Sequence, residues 1–139
     1  MKSRQEDNPR SLRIVVLVDD LFFLSRIRAA AEKAGAEIIT LGAGSNAIQK
    51  IVDAAPHGIL IDLEARTWDA VRFLEQIQNL YSLSHIPKVG FYSHVRSELG
   101  NTAKNAGCGT VLPRSAFSKM LADFESLFRS NTRVDSKHR

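Results

Sequence analysis

Two short apolar runs, each leading into acid, constrain this chain more than any other feature. Gly58-Ile59-Leu60-Ile61-Asp62-Leu63 carries one carboxylate near its end, and Arg13-Ile14-Val15-Val16-Leu17-Val18 runs directly into Asp19-Asp20. Runs this short and this rich in Ile, Val and Leu read as strands of a parallel sheet buried on both faces. Helices on both sides exclude a charge from the middle of such a strand. Asp62 therefore belongs near the C-terminal end, where open α/β sheets place their ligand crevice. Two neighbouring strands ending this way would hold three carboxylates around one pocket. Clustered like charges raise one another's pKa unless a cation is present. A hard divalent ion with oxygen ligands, Mg²⁺ above all, meets that need.

The rest of the chain alternates strand and helix patterns. Leu21, Leu24, Ile27, Ala31 and Ala34 recur at helical spacing, and Gly35 follows as a stop. Ala36–Thr40 reads as a second strand and Gly42-Ala43-Gly44 as a turn, without the spacing of a phosphate-cradling loop. Ser45 is placed to cap a second helix running to about Ala55. After the Asp62 strand, Asp69 is placed to start a third helix, to about Tyr81, with Val71, Phe73, Leu74, Ile77 and Leu80 as its apolar face. Val89-Gly90-Phe91-Tyr92-Ser93 is the fourth strand run. A fourth helix spans about Arg96 to Ala106, interrupted by Gly100 and Asn101 and thin on its apolar side. A fifth strand around Thr110–Pro113 leads into a last helix from Ser115, with Phe117, Met120, Leu121, Phe124, Leu127 and Phe128. Five such alternations imply a five-stranded parallel sheet covered on both faces by five helices.

Composition narrows the function classes. A chain of 139 residues, 44% hydrophobic, suits one domain with a single core, and no apolar run is long enough to span a bilayer. Residues 1–12 form a polar, basic N-terminal tail, 13–128 the folded domain, and 129–139 a basic C-terminal tail. Of the net charge of +4, residues 1–13 contribute +2 and residues 129–139 contribute +3, leaving −1 for the remainder. The folded part is thus not basic, which argues against nucleic-acid and membrane-surface binding. The single Cys108, between Gly107 and Gly109, offers no disulfide and suits a reducing cytoplasm; it reads as a turn thiol.

The acidic pair Asp19-Asp20 after the first strand, Asp62 after the third, Ser93 after the fourth and Arg114 after the fifth resemble the pattern of response-regulator receiver domains, the phosphoacceptor modules of two-component signalling. The resemblance runs from about Arg13 to Arg129. It implies a flavodoxin-like, doubly wound sheet of order 2-1-3-4-5. It further implies phosphorelay signal transduction by a stand-alone, cytoplasmic domain that is not itself an enzyme. In this reading Asp62 is the phosphoacceptor and attacks the phosphohistidine of a sensor histidine kinase or phosphotransfer protein. Asp19, Asp20, Asp62 and the backbone carbonyl of Glu64 match the Mg²⁺ ligands. Ser93 and Arg114 match the groups that hold the phosphoryl oxygens. Output would pass to a downstream protein through the face of the fourth helix, fifth strand and fifth helix.

Four positions depart from that pattern. Arg114-Ser115 stands where receivers carry Lys, usually followed by Pro; Arg is a planar fork, and Lys is a compact ammonium. Val111 replaces the usual switch Tyr or Phe, His94 follows Ser93 in place of a small residue, and Arg66 replaces a loop Pro. These departures leave a second reading open: an atypical pseudo-receiver, acting as a protein-interaction module independent of phosphorylation. A third, a Mg²⁺-dependent phosphatase with Asp62 as nucleophile, lacks the general acid expected two residues on, where Glu64 stands. Trp68 is either a lid or a partner anchor, and His57 and His85 read as surface residues.

Overall fold

In the computed structural model, residues 12–41, 46–93 and 97–128 are described here. The turn and helix cap expected at Gly42 to Ser45, His94, the helix start expected at Arg96, residues 1–11 of the N-terminal tail and the C-terminal tail 129–139 lie outside them. Five strands, β1 (Arg13–Leu17), β2 (Glu37–Thr40), β3 (Gly58–Asp62), β4 (Lys88–Tyr92) and β5 (Thr110–Pro113), form one parallel sheet of order β2-β1-β3-β4-β5. The main helices are α1 (Leu21–Lys33), α2 (Ala47–Ala54), α3 (Ala70–Gln78), α4 (Ser97–Asn105) and α5 (Arg114–Met120).

Strand alternation divides the core in two. Val15, Leu17, Ile59 and Ile61 face one side with Ile51 of α2, Leu74 and Ile77 of α3 and Ala103 of α4. Ile14, Val16, Leu60, Val89 and Phe91 face the other with Phe23 and Ile27 of α1 and Phe117 of α5. All five residues of β3 are buried, Asp62 included, because β3 is central and covered on both faces.

Several boundaries differ from the sequence expectation. The third helix stops at Gln78, because Leu80 is extended (φ −98°, ψ 116°), and a separate helical turn, Tyr81–Ser84, buries Leu83. The last helix begins at Arg114, not Ser115, with Pro113 as its N-cap residue. It tightens to a 3₁₀ turn at Leu121–Asp123 and returns to α geometry over 124–128. Helix α4 forms despite Gly100. A Cβ there would lie 3.3 Å from Val111 Cγ1 and 3.4 Å from Tyr92 Cε1, so the glycine lets the helix approach the sheet closely. The thin apolar face is the consequence of that approach: Gly100, Ala103 and Ala106 are small and buried.

Candidate functional site: an acidic pocket at the sheet edge

The C-terminal ends of β1, β3, β4 and β5 bring Asp19, Asp20, Asp62, Ser93 and Arg114 to one edge of the sheet. Asp62 is the last residue of β3, beside Phe91 of β4, and is 4% exposed. Its Oδ1 accepts a hydrogen bond from the Glu64 amide at 2.9 Å. Burial pushes its carboxyl above the ordinary aspartate value; the Glu64 amide and the Arg114 guanidinium oppose that rise, and the charges of Asp19 and Glu64 add to it. The protein therefore holds a buried carboxylate whose ionised form is poorly compensated, at the C-terminal end of the central strand.

The other acids are occupied. Asp20 caps α1: its Oδ1 accepts from the amides of Phe22 at 3.0 Å and Phe23 at 3.2 Å. Its Oδ2 stands 3.8 Å from Arg114 Nη1, a half-exposed pair. Asp19 Oδ2 accepts from the Thr67 hydroxyl at 3.2 Å. The Glu64 carboxylate accepts from the Ser93 amide at 2.7 Å, tying the loop after β3 to the end of β4. Among the described residues no three His, Cys, Asp or Glu side chains are grouped as metal ligands. The three carboxylates expected around one ion stand at the same end of the sheet, with their side chains turned to separate partners. The donors are of the class a hard cation needs, but in this arrangement Asp20 is turned to its helix cap and to Arg114.

Arg114 is seated on aromatic rings. Its Cζ lies 4.9 Å from the Phe23 ring centroid and 5.8 Å from that of Phe91. Phe91 stacks on Phe117 at 4.6 Å with an interplanar angle of 10°, and Phe23 meets Phe91 edge-on at 5.1 Å. A guanidinium suits this shelf because it is planar and weakly hydrated.

The Trp68 ring packs against the core, with its indole Nε1 buried and without a hydrogen-bond partner. His57 and His85 are exposed, and the His57 Nδ1 accepts from the Arg13 amide at 3.0 Å. Sequence reasoning missed the Glu64 carboxylate, Thr67, the Phe23 shelf and Arg26. Of these only Phe23 and Arg26 carry a signal, their i, i+3 spacing on one helix. Their partners Phe91, Phe117 and Ser118 lie on distant segments of the chain.

No family model matches the sequence, and no curated protein matches it. Solved structures do. The chemotaxis response regulator CheY4 of Vibrio cholerae superposes with a TM-score of 0.72 at 16% identity, covering 84% of this chain and 97% of that one. The phosphorylated cyanobacterial phytochrome response regulator RcpA gives 0.69 at 17% identity, over 86% of this chain and 95% of its own. The Mn²⁺-bound form of the response regulator Rcp1 gives 0.70 at 19%, over 83% and 92%. Sheet order and these likenesses agree: the chain has the flavodoxin-like fold of response-regulator receiver domains.

Proposed function

We propose that this chain is a phosphorelay receiver that accepts a phosphoryl group on Asp62 and signals through protein contact. The observation that carries the reading is Asp62 itself: a buried, poorly compensated carboxylate at the C-terminal end of the central strand, with Arg114 close enough to lower its pKa. A carboxylate oxygen of Asp62 attacks the phosphorus of a phosphohistidine, and the imidazole leaves. Arg114 can pair two phosphoryl oxygens at once, and the Ser93 hydroxyl can donate to a third. Mg²⁺, when bound, supplies charge neutralisation for the phosphoryl oxygens. The carboxylates of Asp19, Asp20 and Asp62 and the Glu64 carbonyl are the groups that would hold it. The neighbour RcpA was solved phosphorylated and Rcp1 with Mn²⁺, which supports both steps by analogy.

The donor is a sensor histidine kinase or a phosphotransfer protein. Leu21 and Phe22, 78% and 74% exposed, follow Asp20 directly and give such a protein an apolar contact beside the pocket. The output face is α4, β5 and α5. No helix among the described residues is long and apolar enough to cross a membrane.

The test is intact-mass measurement after incubation with acetyl phosphate and Mg²⁺. One labile phosphate is expected on the wild type and none on Asp62→Asn. A phosphate that persists in that variant would remove Asp62 from the role. Beryllofluoride should then shift amide resonances from the pocket through residues 97–128. Shifts confined to the pocket would favour the phosphorylation-independent module.

A further inference from the structure

A groove of about 570 Å³ opens between α1 and the last helix, on the face of the sheet that both of them cover. Arg26, Ala29 and Lys33 line it on the α1 side, and Ser118, Ala122 and Asp123 on the other. Leu121 and Phe124, both buried, lie beneath. Its two walls carry opposite charge, cations on α1 and the acids Asp123 and Glu125 facing them. The walls also run the same way. α1 leaves the end of β1 and returns to the start of β2. The last helix leaves β5 and brings the Phe128 ring against Gly58, at the start of β3. Their relative height is fixed where Arg26 Nη1 donates to Ser118 Oγ at 3.4 Å. From that level Lys33 is seven residues on and Asp123 five, so both lie roughly 8 to 10 Å further down the groove. Both are exposed, and among the described residues neither belongs to an ion pair. Asp123 accepts from the Ser126 hydroxyl at 2.6 Å, a neutral donor that leaves its charge uncompensated. The groove thus holds opposite charges at equal height on its two walls, and apart.

We propose that this groove is the contact face of a homodimer, with Lys33 of each copy paired to Asp123 of the other. A two-fold axis lying along the groove turns the cationic wall of one copy onto the acidic wall of the second, and residues of equal height stay opposed. The contact is isologous, so each pair is made twice. Ala29, Ala34 and Ala122 are exposed and small, which lets the two copies approach without displacing larger side chains. The Lys33 stem can then pack along apolar surface while its ammonium meets the carboxylate. Such a dimer needs no phosphoryl group on Asp62. It also leaves α4 open, because α4 packs on the opposite face of the sheet.

Sedimentation velocity of the full chain over a concentration series, at low and high salt, reads the association. Wild type should dimerise reversibly, and more weakly at high salt. Lys33→Glu and Asp123→Lys should each raise the dissociation constant about tenfold or more, since each sets like charges opposite one another twice. An equimolar mixture of the two variants should dimerise at least as well as wild type. In the mixed dimer Glu at 33 of one chain faces Lys at 123 of the other, and Asp123 of the first faces Lys33 of the second. Neither a folding defect nor an unrelated contact face produces that rescue. Wild type that stays monomeric at every concentration would overturn the dimer and leave the groove to another protein. Variants that dimerise like wild type, or a mixture no better than its components, would overturn it as well.

Discussion

The Ser93 amide donates to the Glu64 carboxylate at 2.7 Å, and this contact joins the loop after β3 to the end of β4 across the mouth of the pocket. It is a charge-assisted bond between two partly buried groups, stronger than a neutral one. Any inward movement of Ser93 towards a phosphoryl group on Asp62 has to break or reorient it. Glu64→Ala should therefore release the segment beginning at Ser93. Hydrogen exchange at the Ser93 amide should quicken roughly ten- to hundredfold, as expected for losing a bond to a charged group. Protection equal to wild type would mean that the amide is held by something else.

Asp62 is kept ionisable at a cost to the fold. Its folded pKa is raised, chiefly by burial, so the folded state holds the proton more tightly than the unfolded chain does. Below the ordinary value of 3.8 the carboxyl is neutral in both states and no penalty arises; as pH rises through the folded value, stability is lost. Asp62→Asn removes that penalty and retains an oxygen to accept from the Glu64 amide. The variant should be more stable than wild type near neutral pH by about 1 kcal/mol, a common scale for relieving a functional site. The gain should shrink towards zero as pH falls below 3.8 in urea melts. A gain constant across that range would point to packing and not to charge.

The architecture was legible because its signals are local. Runs such as Ile59-Leu60-Ile61 declare a strand buried on both faces, and an acid at their end declares the crevice. The capping role of Asp69 was readable for the same reason, since its side chain accepts from the Arg72 amide three residues on. Lys88 was not. It stands at the start of β4, 2% exposed, where an apolar residue is the usual occupant. Its amine reaches out of the strand end to the carbonyls of Ser84 at 3.0 Å and Ile86 at 2.8 Å, acceptors created by a helical turn for which the sequence pattern gave no signal beyond Tyr81. The pocket residues were found one by one, but their pairing was not. Whether Arg114 meets Asp62 or Asp20 depends on the Phe23 and Phe91 rings beneath it, and these are contributed by two other elements.

The opposite end of the sheet should govern alkaline stability. Burial pushes the Cys108 thiol up from 9.0 to about 12, and the folded state therefore keeps a proton that the unfolded chain releases. That contribution is complete below pH 9.0 and is lost as pH rises towards 12. Lys88 acts the other way. Its burial lowers the amine below 10.5, so stability rises with pH between its folded value and 10.5. Above pH 10.5 the amine adds no further slope, and of the two groups the thiol alone still lowers stability as pH rises. Cys108→Ala should flatten the alkaline fall in stability, a difference on the order of a few kcal/mol by pH 12. Chemical denaturation at pH 8 and pH 10.5 measures the slope and is insensitive to the small cavity the substitution leaves. Equal slopes in both proteins would assign the alkaline loss to other groups.

Arg114 and a divalent ion have a common interest in Asp20. The guanidinium stands 3.8 Å from the Asp20 carboxylate, and in that arrangement it is the cation resident in the pocket. A metal ion ligated by Asp19, Asp20 and Asp62 would have to displace it from Asp20. The two effects of removing Arg114 then run in opposite directions. Arg114→Ala frees Asp20, and Mg²⁺ should bind a few-fold more tightly, since a half-exposed pair is worth about 0–1 kcal/mol. The same substitution removes a charge that lowers the Asp62 pKa, so the Asp62 carboxyl should titrate at higher pH in the metal-free variant. Mg²⁺ titration followed by Trp68 fluorescence reads the first effect, because Trp68 lies in the loop that follows Asp62. Carboxyl-carbon NMR across an acid titration reads the second. A raised Asp62 value together with weaker or unchanged Mg²⁺ binding would show that Asp20 is no metal ligand, and that the Arg114 pair serves only to hold the guanidinium over the pocket.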